Sequence, residues 1–218
     1  MRSALGIALM VFFLFWHMSF PAASLSLPSS YGEDHKAVLS VRLLAGVHPA
    51  QLQLQETIAS VQAVVGKEHR RPSEETVSRA WDVVLARMDI EGMARRILWR
   101  HWVRLSENER GRFRAIFADF MRRVFAKYID FVKGAEIAYR HVAAYGAEAV
   151  VSIAVTPSGQ FTQEIEIYLH RVHDSWMIYD VGVGGITLVR VYRSQLTTIL
   201  EQGSFDALLA EIEKKAKN

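Results

Sequence analysis

The 218-residue sequence has no cysteine, which excludes a disulfide framework, a thiolate metal site, a CxxC redox pair and a cysteine nucleophile. It also lacks an excess of one charge. With 26 Lys and Arg scattered among 23 Asp and Glu, for a formal net charge of +3, no basic stripe for nucleic acid is implied. Proline is sparse at 5, with 13 glycines, and no low-complexity tract or internal repeat is visible. Motifs of phosphate binding and hydrolysis are missing as well. There is no GxSxG elbow, HExxH helix or Walker A loop, and Gly182-Val-Gly-Gly185 fails the dinucleotide pattern because Thr187 takes its last glycine position. Apolar material is plentiful. Half the residues are hydrophobic and 22% are charged, so a folded chain with a sizeable core is expected, within one-domain size plus a removable end.

That end is the N-terminus. Arg2 precedes an uncharged run from Ala4 to Trp16, and Phe20-Pro-Ala-Ala-Ser24 follows. This is a signal-peptide layout over residues 1–24, with Ala22 and Ser24 at the positions read by the peptidase and a later cut after Ser26 as an alternative. The run is shorter than the roughly 20 residues that cross hydrocarbon. Residues 25–48 read as a loosely held arm, and 49–218 as the folded domain.

Within that domain, Leu54, Ile58, Val61 and Val65 recur at helical spacing from Pro49 to Gly66, Ser73 opens a second helix and Asp89 caps a third. Ser106-Glu-Asn-Glu109 is a capping box before the strongest apolar stripe, Phe113 to Tyr128. Near Gly134 the period changes to two, and four strands follow. They run over Ala135 to Ala144, around Val151 to Val155, around Ile165 to Leu169 and from Met177 to Val183. Gly182, Gly184 and Gly185 permit a bend, after which two helices close the chain on either side of Gly203 and Ser204. The expected fold is α+β, with helices packed on one face of a curved antiparallel sheet of about four strands. Their greasy surfaces either seal into a core or leave a lipophilic cavity.

Three constellations could carry chemistry. His170 and His173 form an HxxH at a strand end, read as solvated histidines rather than a metal site. Asp180 beside Tyr179 could serve an isomerase-like enzyme in an open α+β cone, although strand alternation places the two on opposite faces. Arg95, Arg96, Arg100 and Arg104 form a basic cluster, read as a solvated face that anionic head groups or an acidic partner could use.

Two blocks carry a family resemblance. Asp89-Ile-Glu-Gly-Met-Ala-Arg-Arg-Ile-Leu98, His101-Trp102, Ser106-Glu-Asn-Glu-Arg110 and Phe113 form the first. Trp176-Met-Ile-Tyr-Asp-Val-Gly-Val-Gly-Gly-Ile-Thr-Leu-Val189 with Tyr192-Arg193-Ser-Gln195 forms the second. In register, they resemble the MlaC-type phospholipid-binding proteins of the toluene-tolerance family, with departures at Trp99, Gly184 and Thr187. The resemblance implies a non-enzymatic periplasmic carrier without a cofactor. It would move phospholipid between an outer-membrane lipoprotein complex and an inner-membrane ABC transporter with an MCE-domain protein, in the service of outer-membrane lipid asymmetry. A sister group accompanying hopanoid synthesis adds a polycyclic lipid as cargo. The expected tail contacts are Met93, Ile97, Phe117, Phe120, Met121, Ile153, Val155, Ile167, Tyr179, Val181, Ile186 and Val189. An isomerase using Asp180 and a non-catalytic adaptor with a filled core are the rival readings.

Overall fold

The computed structural model describes residues 46–66 and 71–217. The expected signal peptide and nearly all of the arm lie outside them. His48, at the end of that arm, starts the first helix. Its Nδ1 accepts the Ala50 amide at 3.2 Å, Pro49 fills the first turn, where its missing N–H is no loss, and the imidazole packs edge-on to Trp176.

The order is α1 (Pro49–Val65), α2 (Glu74–Leu85), α3 (Ile90–Leu98), a 3-10 segment (Trp99–Arg104) and α4 (Glu107–Val132), then β1 (Glu136–Tyr145), β2 (Glu148–Thr156), β3 (Gln163–Val172), β4 (Ser175–Val183) and β5 (Ile186–Thr187), then α5 (Leu188–Gln202) and α6 (Phe205–Lys217). The helix starts lie where the sequence puts them because each has a side-chain acceptor for an otherwise orphan amide. Ser73 accepts from Thr76, Asp89 from Gly92 at 2.7 Å, and Ser106 and Glu109 complete a reciprocal box at the head of α4.

The sheet is an open antiparallel meander in the order β1-β2-β3-β4-β5. It has five strands rather than about four. The additional strand is two residues long and pairs with Gly182 and Val183 directly after the turn at Gly184 and Gly185, whose φ values are +59° and +77°. Such angles strain any residue with a Cβ. Gly182 has another reason to be glycine. A Cβ there would meet Glu166 Oε2 at 3.1 Å and Tyr168 Cε2 at 3.3 Å, so the position serves close approach rather than the bend.

Register places Val151 opposite Ile167 and Ile167 opposite Val181, which builds one apolar face. Helix α1 lies on that face and is fixed at both ends by glutamine amides. Gln53 brackets the Trp176 backbone, donating to its carbonyl at 2.8 Å and accepting from its amide at 2.9 Å; Gln62 donates to the carbonyls of Ala135 and Val132. Beyond β5, the outer edge of β4 is covered by the segment before α3, where the Ile178 amide donates to Arg87 and the Asp89 amide donates to Ile178. Among the described residues, strand β1 is the free edge. It carries a bulge between Tyr139 and His141 and an exposed Arg140, features that discourage pairing with another chain.

Candidate lipid site

Among the described residues, most buried apolar side chains fall into three clusters. One is helical and joins α3, α4, α5 and α6 around Met93, Ile97, Phe113, Phe117, Phe120 and Tyr192. A second is the apolar face of the sheet with Ala50 and Leu54 of α1. The third is small and sits between α1, α2 and Ile129 of α4. Val84 and Phe125 pack against both the helical cluster and the third one. Among the described residues, no partly buried hydrophobic is shared between the helical cluster and the sheet face.

Helix α4 and strand β4 each contribute side chains to both surfaces. On α4, Phe120 and Val124 belong with the helical cluster and Phe131 with the sheet, with Tyr128 between them at 5.9 Å from the Phe131 ring. On β4, Tyr179 packs against the helices and Val181 against the sheet. Partly buried Ile137, Tyr139 and Val142 of β1 and Ile165 of β3 complete the sheet side.

The twelve expected tail contacts divide accordingly. Met93, Ile97, Phe117, Phe120, Met121 and Val189 are in the helical cluster, with Tyr179 against it. Ile153, Val155 and Ile167 are in the sheet cluster, with Val181 against it. Ile186 is in neither and stands 43% exposed beside the glycine turn. Exposure separates them further, because a side chain lining an opening keeps accessible surface whereas one packed on all sides keeps none. Met93 and Ile97 have 0% and Phe117 1%. Phe117 is wedged between Phe113 and Phe120, with Tyr192 edge-on to both Phe117 and Phe120 at 6.3 and 5.5 Å. Tyr128, Ile137, Tyr139, Val142 and Ile165 were absent from the sequence-based set. Tyr128 ends the α4 stripe and Ile137 and Tyr139 alternate on β1, so both signals were present, but the partner surfaces that select them are remote in sequence.

Polar groups collect where β4 meets α3 and α5. The strand contains a second bulge, between Tyr168 and Leu169 of its partner, and Tyr179 is its unpaired residue. Simple alternation therefore fails here. Instead of lying on opposite faces, Tyr179 joins Tyr168 and His170, with ring centroids 6.2 and 5.1 Å away, beside Asp180, which pairs with Tyr168. The Arg96 guanidinium covers the Tyr179 ring at 4.0 Å and Arg193 Nε donates to the Arg96 carbonyl at 2.7 Å. His170 Nε2 lies 2.8 Å from Asp89 Oδ2, with His173 on the turn beyond at φ 53°.

Asp180 is 6% exposed, and its Oδ1 accepts the amides of Val181 at 2.9 Å and Val189 at 3.0 Å. Burial raises its pKa above the ordinary carboxylate value, while the Thr187 hydroxyl, the two amides and Arg96 pull it down. A carboxylate at the first turn of α5 suits the positive end of the helix. The geometry makes Asp180 the joint between β4 and α5.

Comparison with known proteins locates this architecture. The family model described as MlaC protein matches residues 55–214. The chain belongs to the MlaC family. A solved structure of the phospholipid-binding protein from Ralstonia solanacearum, in complex with a phospholipid, superposes with a TM-score of 0.71 at 18% identity, covering 78% of this chain and 98% of that one. The MlaC fold is shared despite the low identity. A search of curated proteins found no match. No described helix is long and apolar enough to cross a membrane.

Proposed function

We propose that this MlaC-family chain is a lipid carrier that accepts acyl chains between the helical cluster and the apolar face of the sheet, with the head group toward solvent. The observation that carries the reading is that the buried apolar side chains of the helices and those of the sheet face form distinct clusters, with Ile137, Tyr139, Ile165 and Val181 only partly buried on the sheet side and Tyr128 partly buried beside Phe131. The Ralstonia protein of the same fold holds a phospholipid, which supports phospholipid as the cargo. A hopanoid satisfies the same apolar requirement. Tail contacts are assigned to the border residues and Phe120, and the fully enclosed Met93, Ile97 and Phe117 are assigned to the supporting core.

Energetics fit a carrier. Burying about 30 methylenes at roughly 0.8 kcal/mol each is worth on the order of 20 kcal/mol relative to water, as an upper bound. A bilayer offers a similar gain, so lipid exchange between membrane and protein is near balance, and directional movement needs an external energy source. In this reading the chain is exported to the periplasm and shuttles between an outer-membrane lipoprotein complex and an inner-membrane ABC transporter with an MCE-domain protein. Native mass spectrometry of the exported chain is expected to show one phospholipid or hopanoid mass. Val181→Asp or Tyr139→Asp, placing a charge on the border, is expected to remove that mass from a chain that stays folded. Full lipid occupancy in both folded variants, or an empty wild-type chain, overturns the reading.

A further inference from the structure

Outside the interior, one surface segment combines strain, exposure and charge. Residues three apart in a 3-10 turn share a face, which would stack Trp99 on Trp102. Trp102 is indeed buried, at 6% exposure, with Arg110 donating to its carbonyl and lying over its ring. Trp99 departs from it. Its backbone sits at φ 44°, ψ −117°, a region bulky L residues avoid, and its indole is 60% exposed. Val103, four residues on, is 75% exposed. A strained backbone that turns an indole into water persists only when the surroundings enforce it, and burying the indole elsewhere would recover apolar area.

Two guanidinium groups stand beside its ring. Arg100 and Arg193 lie 6.0 and 5.8 Å from the Trp99 ring, while Arg95, four residues before Trp99, and Arg104, at the end of the segment, flank it along the chain. Glu201 pairs with Arg100. Among the described residues, no ion pair joins Arg95 or Arg104, and both are exposed. Guanidinium groups bind phosphate oxygens in bidentate fashion, and indole partitions to the level of lipid head groups. We infer that Trp99 and Val103, with Arg95, Arg100, Arg104 and Arg193, form a docking patch for an anionic lipid bilayer. An acidic protein could satisfy the arginines, but it does not account for two projecting apolar side chains as directly as a bilayer does.

Vesicle docking through this patch does not depend on whether the interior holds lipid. The test is co-sedimentation of the exported chain with vesicles of equal parts phosphatidylglycerol and phosphatidylcholine, against vesicles of phosphatidylcholine alone, at low and high salt. Binding is expected to need the anionic lipid and to weaken with salt. Trp99→Gly and the double change Arg95→Ala with Arg104→Ala are each expected to lower vesicle partition about tenfold. Both should leave the lipid content of the chain unchanged. Because glycine relieves the positive φ, Trp99→Gly is also expected to keep or raise the melting temperature. Unchanged partition in either variant, equal binding to both vesicle types, or a lower melting temperature for Trp99→Gly overturns the inference. So does binding to an acidic protein in place of vesicles.

Discussion

Asp180 shows how one residue fixes the geometry around it. Two amides from different elements share its Oδ1, so Asp180→Ala strands both and is expected to cost about 2 kcal/mol by denaturant titration. Asp180→Asn retains the acceptor and is expected to stay within about 1 kcal/mol of wild type. The pH dependence follows from burial, the first cause of its raised pKa. Between the unfolded and the folded value, the folded chain keeps a proton that the unfolded chain has released. This residue's share of stability therefore falls as pH rises through that window, and Asp180→Asn is expected to lack that part of the slope. Retained binding of lipid by Asp180→Asn would agree with a joint rather than a chemical role. Phe117 is the counterpart in the core. Enclosed by Phe113, Phe120 and Tyr192, it is expected to lose about 3–5 kcal/mol as Phe117→Ala. That loss should appear in melting curves whether or not lipid is bound.

At the scale of elements, the caps explain why so much was legible. Ser106 and Glu109 satisfy two orphan amides of α4, which runs 26 residues. Ser106→Ala is expected to destabilise the chain by about 1 kcal/mol at neutral pH, measured by thermal or denaturant unfolding. Hydrogen bonds from Ser106 hold the Glu109 pKa below its ordinary value. The carboxylate's part of the box is therefore present above its unfolded value and is lost as pH falls through the folded one, so the gap between wild type and Ser106→Ala should narrow in acid to what the Ser106 hydroxyl contributes by accepting the Glu109 amide. Caps are local. So is strand alternation, and the four long strands lie within a few residues of where Ala135, Val151, Ile165 and Met177 placed them. What escaped the sequence depends on pairs of distant segments: the bulge that moves Tyr179 across β4, the short β5 against Gly182, and the turning of Trp99 away from Trp102. The candidate site was half legible for the same reason. The α4 stripe identified Phe120, but only the packed sheet distinguishes Tyr128 and Phe131 at the border from Phe117 within the core.

For the whole molecule, a guest between the two apolar surfaces should behave as part of the fold. A ligand bound only by the native state stabilises it by RT ln(1 + [L]/Kd), about 2.7 kcal/mol at a hundredfold excess over Kd. For a domain of this size, each kcal/mol moves Tm by about 2–4 °C. Exchange into mild detergent followed by its removal is therefore expected to lower Tm by roughly 5–10 °C. The emptied chain should also bind a hydrophobic dye along the border of Tyr128, Tyr139 and Val181. Returning phosphatidylglycerol should restore both readings. If the helices and the sheet instead close on one another without a guest, stripping changes neither Tm nor dye binding, and Val181→Asp then registers only as a destabilised core. The two outcomes differ because hydrocarbon that fills the border contributes buried area only while it is present, whereas a sealed core contributes its area always.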